Sequence, residues 1–260
     1  MKLSISLDLI LQLRWAMAIA LGPTLRAIWH KPSLLFHSRE ISRLFMSHIW
    51  SSGLGDGIDE NARDVKGPLI TPNAYGVVLD IGAGHGHTAN YLDINRVTKY
   101  VALEPNTHMH EEIRKIANKA GWTEEAGTLL ILPYGAENTS VISSALGGPL
   151  SVDTVVCVLS LCTVPSPEET INRMSNELLK PGGVFLLYEH VLSPCADVAW
   201  WQWFWSPIWS KAFDGCRLDR PTYVWVRKAT NWEVDEVWTQ EGEPVEHLFW
   251  HQVGKFVKAT

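Results

Sequence analysis

Between Val77 and His87 the chain reads Val-Val-Leu-Asp-Ile-Gly-Ala-Gly-His-Gly-His, a hydrophobic run that ends on an acid, Asp80, and passes into Gly82, Gly84 and Gly86. Glycines at a strand-to-helix turn let a ligand approach the backbone, and the helix expected after them would offer unpaired N–H groups. Either a dinucleotide or S-adenosylmethionine uses such a turn. The dinucleotide spacing G-x-G-x-x-G needs its third glycine at position 87, where His87 stands. A carboxylate at 80 would repel a pyrophosphate, whereas it suits the ammonium of a methionine moiety and lies near a sulfonium. Electrostatics therefore favours the sulfonium cofactor. Glu104, at the end of the next hydrophobic run, is placed to accept hydrogen bonds from both hydroxyls of a ribose.

These residues need a scaffold that brings strand ends together. From Tyr75 onward short apolar strands alternate with helical stretches: Val-Val-Leu-Asp-Ile-Gly, then His-Thr-Ala-Asn-Tyr-Leu as a helix, Tyr-Val-Ala-Leu-Glu-Pro as a strand, and so on through the strand before Val191. Repeated strand-helix units with near-continuous apolar strands predict an α/β fold, Rossmann-like and doubly wound, with helices on both faces. The alternating segments around 232–240 and 245–259 supply an antiparallel pair at one edge. Together they make a mostly parallel, seven-stranded sheet.

Upstream, residues 3–29 are apolar but broken by Asp8, Arg14 and Arg26, too short an uncharged run to span a bilayer. Ser4, Asp8 and Gln12 recur at helical spacing as a narrow polar stripe. The segment is either an amphipathic anchor lying in a membrane surface or a lid packed over the catalytic domain. A second helical pattern covers 33–50. The organisation expected is thus an N-terminal helical segment at 1–50, a connector at 51–74 and a cofactor-binding domain at 75–260, with a Trp-rich lobe at about 195–232. The Gly, Asp and Ser of 51–74 read as a solvated loop, and Asp56, Asp59 and Glu60 lack the ladder of a calcium loop.

Composition narrows the partners. The 260 residues carry 22 basic and 28 acidic side chains, a formal charge of -6, so no cationic field exists for gripping nucleic acid. No protein partner is called for. The four cysteines form no CxxC pair and fit a reduced, cytosol-facing protein. Nine of the 13 tryptophans fall between Trp200 and Trp250, a density that favours a lipophilic acceptor or a bilayer. His85 with His87 and His108 with His110 lack a third ligand, and no metal is expected.

The stretch from Val77 to Val191 resembles the class I S-adenosylmethionine-dependent methyltransferases, through Val-Leu-Asp-Ile-Gly-Ala-Gly-His-Gly, the acid of Ala-Leu-Glu-Pro-Asn, Leu-Pro-Tyr-Gly-Ala-Glu-Asn and Leu-Leu-Lys-Pro-Gly-Gly. Leu-Cys-Thr-Val, Glu-His-Val, the Trp-rich segment, Phe-Asp-Gly-Cys and the terminal Trp-His-Gln-Val-Gly further resemble the methyltransferase-like 7 family of membrane-associated alkyl thiol S-methyltransferases. Ala83, His85 and the N-terminus depart from that pattern. The resemblance implies that Asp80, Gly82, Ala83, Gly84 and Gly86 hold the methionine part of the cofactor and that Glu104 and Pro105 meet the ribose. It implies Gly135, Ala136 and Glu137 for the adenine edge and Leu159 beside the transferred methyl.

The reaction is an in-line displacement on a methyl, so the protein must align the reactants, exclude water and remove a proton. His190, directly after the fifth strand, is the first candidate base, with Asp214 and His251 behind it. Trp200, Trp201, Phe204, Trp205 and Cys216 are expected around a small lipophilic acceptor. The acceptor atom is expected to be a thiol sulfur. An oxygen or nitrogen of an apolar metabolite remains open, as does a catalytically silent protein that binds the cofactor and docks on membranes. The resemblance implies residence at the cytosolic face of an intracellular membrane, such as the endoplasmic reticulum, or in the cytoplasm, with peripheral contact through residues 1–30.

Overall fold

The apolar runs become strands β1 (Gly76–Ile81), β2 (Val97–Leu103), β3 (Leu129–Leu132), β4 (Val152–Val158), β5 (Leu179–His190), β6 (Trp232–Trp238) and β7 (His251–Lys258) of one sheet. The computed structural model describes residues 3–260, with the side chains of 3–6 and 8 excluded, so Ser4 and Asp8 of the polar stripe lie outside the described side chains. The strand order is β3-β2-β1-β4-β5-β7-β6, and β7 runs antiparallel to both neighbours. The order reverses between β1 and β4, which opens a crevice at the carboxyl ends of those strands.

Alternation along each strand sends successive side chains to opposite faces. Leu79, Ile81, Val101, Leu103, Val155 and Cys157 pack on one face, and Val78, Tyr100, Ala102 and Val156 on the other. Both faces are covered by helices, as a parallel sheet requires. Helices α1 (Leu3–His30), α2 (Ser38–Ile49), α3 (Gly55–Asn61) and α4 (Arg63–Ile70) precede the sheet, and α5 (His110–Lys119), α6 (Thr139–Ala145), α7 (Pro167–Arg173), α8 (Ala196–Ala212) and α9 (Thr222–Ala229) are interleaved with it.

Two expectations are corrected here. Residues 51–74 are mostly helical instead of a solvated loop, because Ile58, Ala62, Val65 and Leu69 recur at helical spacing and are turned inward. The acids of that segment are used locally: Asp59 pairs with the buried Lys66 and accepts from the Tyr91 hydroxyl at 3.0 Å, and Asp56 accepts from His87 Nε2 at 2.9 Å. The helix expected after the glycine turn is only a 3-10 segment, His87–Tyr91. That segment is pinned by Trp122, 1% exposed, whose Nε1 donates to the Ala89 carbonyl at 3.3 Å.

At the N-terminus, α1 packs on α2 and α8. Gln12 and Trp15 face a large cavity, while Leu11, Leu25 and Trp29 point outward. The helix therefore acts as a wall over the catalytic domain and also presents an apolar outer face. Among the described residues no helix is long and apolar enough to cross a membrane.

Candidate active site

The glycine turn is shaped by what lies against it. Gly82 has φ 64°, and a Cβ there would lie 2.8 Å from the Ser160 side chain. Gly86 has φ 82° and would press a Cβ to 3.2 Å from the Ile113 backbone. Any side chain at either place is both strained and crowded. Trp50, from the segment joining α2 to α3, lays its indole over Gly84 and meets the His85 ring edge-on at 5.6 Å.

Asp80 stands beside this turn, 2% exposed, accepting from the Tyr100 hydroxyl at 2.8 Å. Burial raises its pKa to about 6, although hydrogen bonds from Tyr100 and Thr88 pull the other way. Glu104 ties the turn to the end of β2: one oxygen accepts from Gly84 N–H at 2.9 Å and the other from Asn106 N–H at 2.7 Å. Burial raises Glu104 to about 7 against those two bonds. It lines neither of the cavities described next, and the free lone pairs of its two oxygens are what it retains for a ribose.

Two cavities meet at Gly82 and Thr163. The smaller is lined by Ile81, Pro105, Gly135, Ala136, Glu137 and Asp214. Glu137 Oε2 is buried in its wall and finds no hydrogen-bond partner among the described residues. The larger, about 660 Å³, has Asp80, Ala83 and Leu159 on one wall and His190, Cys216 and His251 on another. Leu159 holds φ 53°, a costly conformation for a branched side chain that recurs at functional sites.

His251 Nδ1 donates to Glu243 Oε1 at 2.6 Å, and its ring stacks on Tyr188 at 5.1 Å. Burial alone would raise Glu243, but hydrogen bonds from His247 and His251 outweigh it and bring the carboxyl to about 2. Burial lowers the His251 pKa despite that partner. The imidazole is thus neutral, with its proton on Nδ1 and an acceptor lone pair on Nε2.

His190 is placed differently from the expectation of a base open to substrate. Its Nε2 donates to Cys216 Sγ at 3.4 Å. A hydrogen bond from Cys162 and the neighbouring His190 bring the Cys216 thiol well below its ordinary range, against burial. Burial would lower His190, and the neighbouring Cys216 reverses this and raises it. Glu189, the residue before, is buried and accepts from Ser160 N–H at 2.6 Å and Leu161 N–H at 2.9 Å, which fixes the loop carrying Cys162.

The Trp-rich lobe is helix α8, and its inward stripe is Val198, Gln202, Trp205 and Trp209. Gln202 is the staple: its Nε2 donates to the carbonyls of Val191 at 2.9 Å and Leu248 at 2.8 Å, and its Oε1 accepts from Ser193 N–H at 2.8 Å. Of the five residues expected around the acceptor, only Cys216 lines the larger cavity; Trp209, Phe213 and Phe249, with Trp15 and Trp50, supply its large aromatic rings. Trp200 and Phe204 are exposed, stacked on each other at 5.6 Å, while Trp201 and Trp205 pack beside the core of α1 and α8. Helical geometry puts Trp200, Trp201 and Phe204 off the inward stripe, and Trp205, which is on it, buries its ring in the core of α1 and α8 instead of lining the cavity. Asp214 likewise faces the smaller cavity, with φ 46°, among Arg39, Arg43 and Gly135, away from the acceptor side. The four histidines at 85, 87, 108 and 110 do not assemble: His87 meets Asp56, and His110 Nε2 donates to the Glu104 carbonyl at 2.8 Å.

Several contributors carry no signal in the sequence. Glu243 and Trp50 come from segments remote from the motifs, and Glu189 sits within Glu-His-Val without any sign of its partners Ser160 and Leu161, which only the fold reveals. Cys162 stood in a recognised motif, but its neighbours His190 and Cys216 are distant in the chain.

Solved structures share this architecture: an O-methyltransferase family protein from Burkholderia thailandensis superposes with TM-score 0.58 at 15% identity, over 96% of this chain and 70% of that one. The S-adenosylmethionine-dependent methyltransferase SibL gives TM-score 0.51 at 15% identity, over 78% of this chain and 57% of that one. The fold is that of a class I methyltransferase. The profile described as methyltransferase domain matches residues 54–237, and the chain belongs to that family. Thiol S-methyltransferase TMT1B of Rattus norvegicus is 33% identical over 68% of this chain and 66% of its own length, just under two thirds. Thiol S-methyltransferase TMT1B of Homo sapiens is 30% identical over 70% of each chain, and TMT1A of Homo sapiens 29% identical over 59% of each.

Proposed function

We propose that this methyltransferase uses S-adenosylmethionine to methylate the sulfur of a small lipophilic thiol. The observation that carries the reading is one continuous cavity with a buried carboxylate, Asp80, and the glycine turn on one wall and a neutral, carboxylate-oriented His251 on the other. The residues present fit the cofactor: Asp80 for its ammonium, the turn at Gly82, Ala83 and Gly84 for close backbone approach, Glu104 and Pro105 at the ribose, and Gly135 with Ala136 at the adenine. The orphaned Glu137 Oε2 suits the exocyclic amine. When bound, S-adenosylmethionine supplies a methyl on a positively charged sulfur that a nucleophile can displace.

The chain's own residues do the rest. A cysteine thiol titrates at about 8.5 and a plain alkanethiol higher still, so at neutral pH the acceptor is protonated and poorly nucleophilic. His251 Nε2 takes that proton, and Glu243 holds the ring in the tautomer that accepts it and stabilises the imidazolium formed. Trp209, Phe213 and Phe249 exclude water and grip the apolar part of the acceptor. The names of the relatives support sulfur as the acceptor atom.

Incubation with methyl-labelled cofactor and hexanethiol, hexanol or hexylamine tests the reading. Label should appear on hexanethiol, at a rate exceeding the other two by about a hundredfold, the scale on which a positioned base acts. Label on oxygen or nitrogen alone would overturn it.

We further infer that the protein works against a lipid surface at the cytosolic side of an intracellular membrane, where Cys162 and Cys216 stay reduced. Trp29 is 83% exposed, Phe36 88% and Trp203 60%, and α1 and α8, which carry two of them, are in contact. Trp and Phe on such a face favour the headgroup boundary. In a flotation assay with phosphatidylcholine–phosphatidylserine vesicles the protein should rise with the lipid, and a W29A/F36A/W203A variant should lose most of that association. Equal flotation of the variant would remove this surface from consideration.

A further inference from the structure

Cys162, His190 and Cys216 come from three separate places, the loop after β4, the last residue of β5 and the loop after α8. Their sulfur and nitrogen atoms nevertheless lie within 4.8 Å of one another. All three are buried, at 2%, 4% and 8% exposure, and all three line the cavity that also holds His251. Each cysteine follows closely on a non-glycine residue in the left-handed region, Leu159 at φ 53° and Asp214 at φ 46°. The fold thus holds two strained turns that deliver two sulfurs to one imidazole nitrogen. Glu189, through Ser160 and Leu161, fixes the first turn, and Gly215, at φ 90°, completes the second.

Two cysteine sulfurs and an imidazole at mutual ligand spacing are a soft donor set with three members, and a metal bound there would take the place of their protons. Such a set suits a four-coordinate zinc ion, and three protein ligands are the number found where the fourth position is left for water or substrate. A site walled by protein on all sides would be structural. This one borders the cavity assigned to the acceptor, beside a neutral histidine whose ring lies 6.4 Å from that of His190.

We propose that Cys162, His190 and Cys216 bind a zinc ion whose fourth ligand is the acceptor's sulfur. This rests on the thiol reading above. The acceptor displaces a zinc-bound water, its S–H proton passes to His251 Nε2, and the sulfur is held as a zinc thiolate, a nucleophile available at neutral pH. In the transfer step the new S–CH3 bond forms as the bond from methyl to the cofactor's sulfonium breaks. The products are the thioether, a weak zinc ligand that leaves, and neutral S-adenosylhomocysteine. No electron is gained or lost by the metal.

The test uses the full chain, reduced, equilibrated with an equimolar amount of Zn²⁺ and then desalted. Mass-spectrometric metal analysis should find one zinc per chain in the wild type and almost none in a C162S/C216S variant. Calorimetry of that variant with S-adenosylmethionine should give the wild-type affinity, which shows that the fold survives. In the Co²⁺-substituted wild type, a near-ultraviolet thiolate-to-cobalt band should be present and should intensify on adding hexanethiol but not hexanol.

Removal of zinc by a chelator should lower hexanethiol turnover by about tenfold or more, restored by Zn²⁺. Failure of the wild type to retain zinc, equal retention by the variant, or a cobalt spectrum indifferent to hexanethiol would overturn the proposal. Full thiol turnover in zinc-free protein would overturn it while leaving the thiol reading intact. A cobalt spectrum that responds to hexanethiol in a protein that methylates only oxygen or nitrogen would uphold the metal site and remove the thiol reading.

Discussion

Asp80→Asn should cost the protein its cofactor, raising the dissociation constant by about two powers of ten in calorimetry. The side chain is buried, and its described side-chain partners, the hydroxyls of Tyr100 at 2.8 Å and of Thr88, carry no positive charge. Replacing the carboxylate by an amide preserves the shape but removes the charge that offsets a buried ammonium, and losing one partner of such a pair costs about 3 kcal/mol. The pH dependence has a definite sign. Burial lifts Asp80 to about 6, so protons compete with the cationic ligand for the same group. Affinity should therefore be full at neutral pH and weaken as pH falls through about 6. A flat profile from acid to neutral pH, or near-normal binding by the variant, would show that Asp80 does not hold the ammonium.

The second large effect is expected at His251. His251→Gln should lower kcat for an alkanethiol by about a hundredfold, the scale of a lost general base, with cofactor affinity nearly unchanged. Glu243→Gln should reduce kcat about tenfold or more at constant KM, because the amide can no longer fix the Nδ1–H tautomer of the ring. The discriminating acceptor is an aromatic thiol acidic enough to be ionised at neutral pH. Needing no base, it should turn over in the His251 variant at nearly the wild-type rate. Equal losses for both kinds of thiol would mean that His251 shapes the pocket without moving the proton.

The parts of the site that could be read from the chain were those encoded over short distances. Asp80 and the glycines lie within seven residues, and their positive φ angles and close neighbours explain why no other residue type serves there. The alternation of strands and helices sufficed for the sheet and its antiparallel edge. What escaped was set by long-range packing. His190 looked like a free base because nothing in sequence tells that Cys216, 26 residues later, closes on its Nε2. The tryptophans looked like a pocket by their number, yet which rings face inward depends on the phase of α8, and Gln202, an unremarked polar residue, sets that phase. In 51–74 the Gly, Asp and Ser content masked a helical stripe of Ile58, Ala62, Val65 and Leu69 that was present to be read.

Helix α1 contributes Gln12 and Trp15 to the cavity wall while turning Leu11 and Leu25 to the outside. Along this stretch a single helix, about 10 Å thick, stands between the cavity and the exterior. For an oily acceptor dissolved in a bilayer, the effective supply would follow its partition coefficient instead of its aqueous solubility, and apparent KM values would scale with the amount of lipid in the assay.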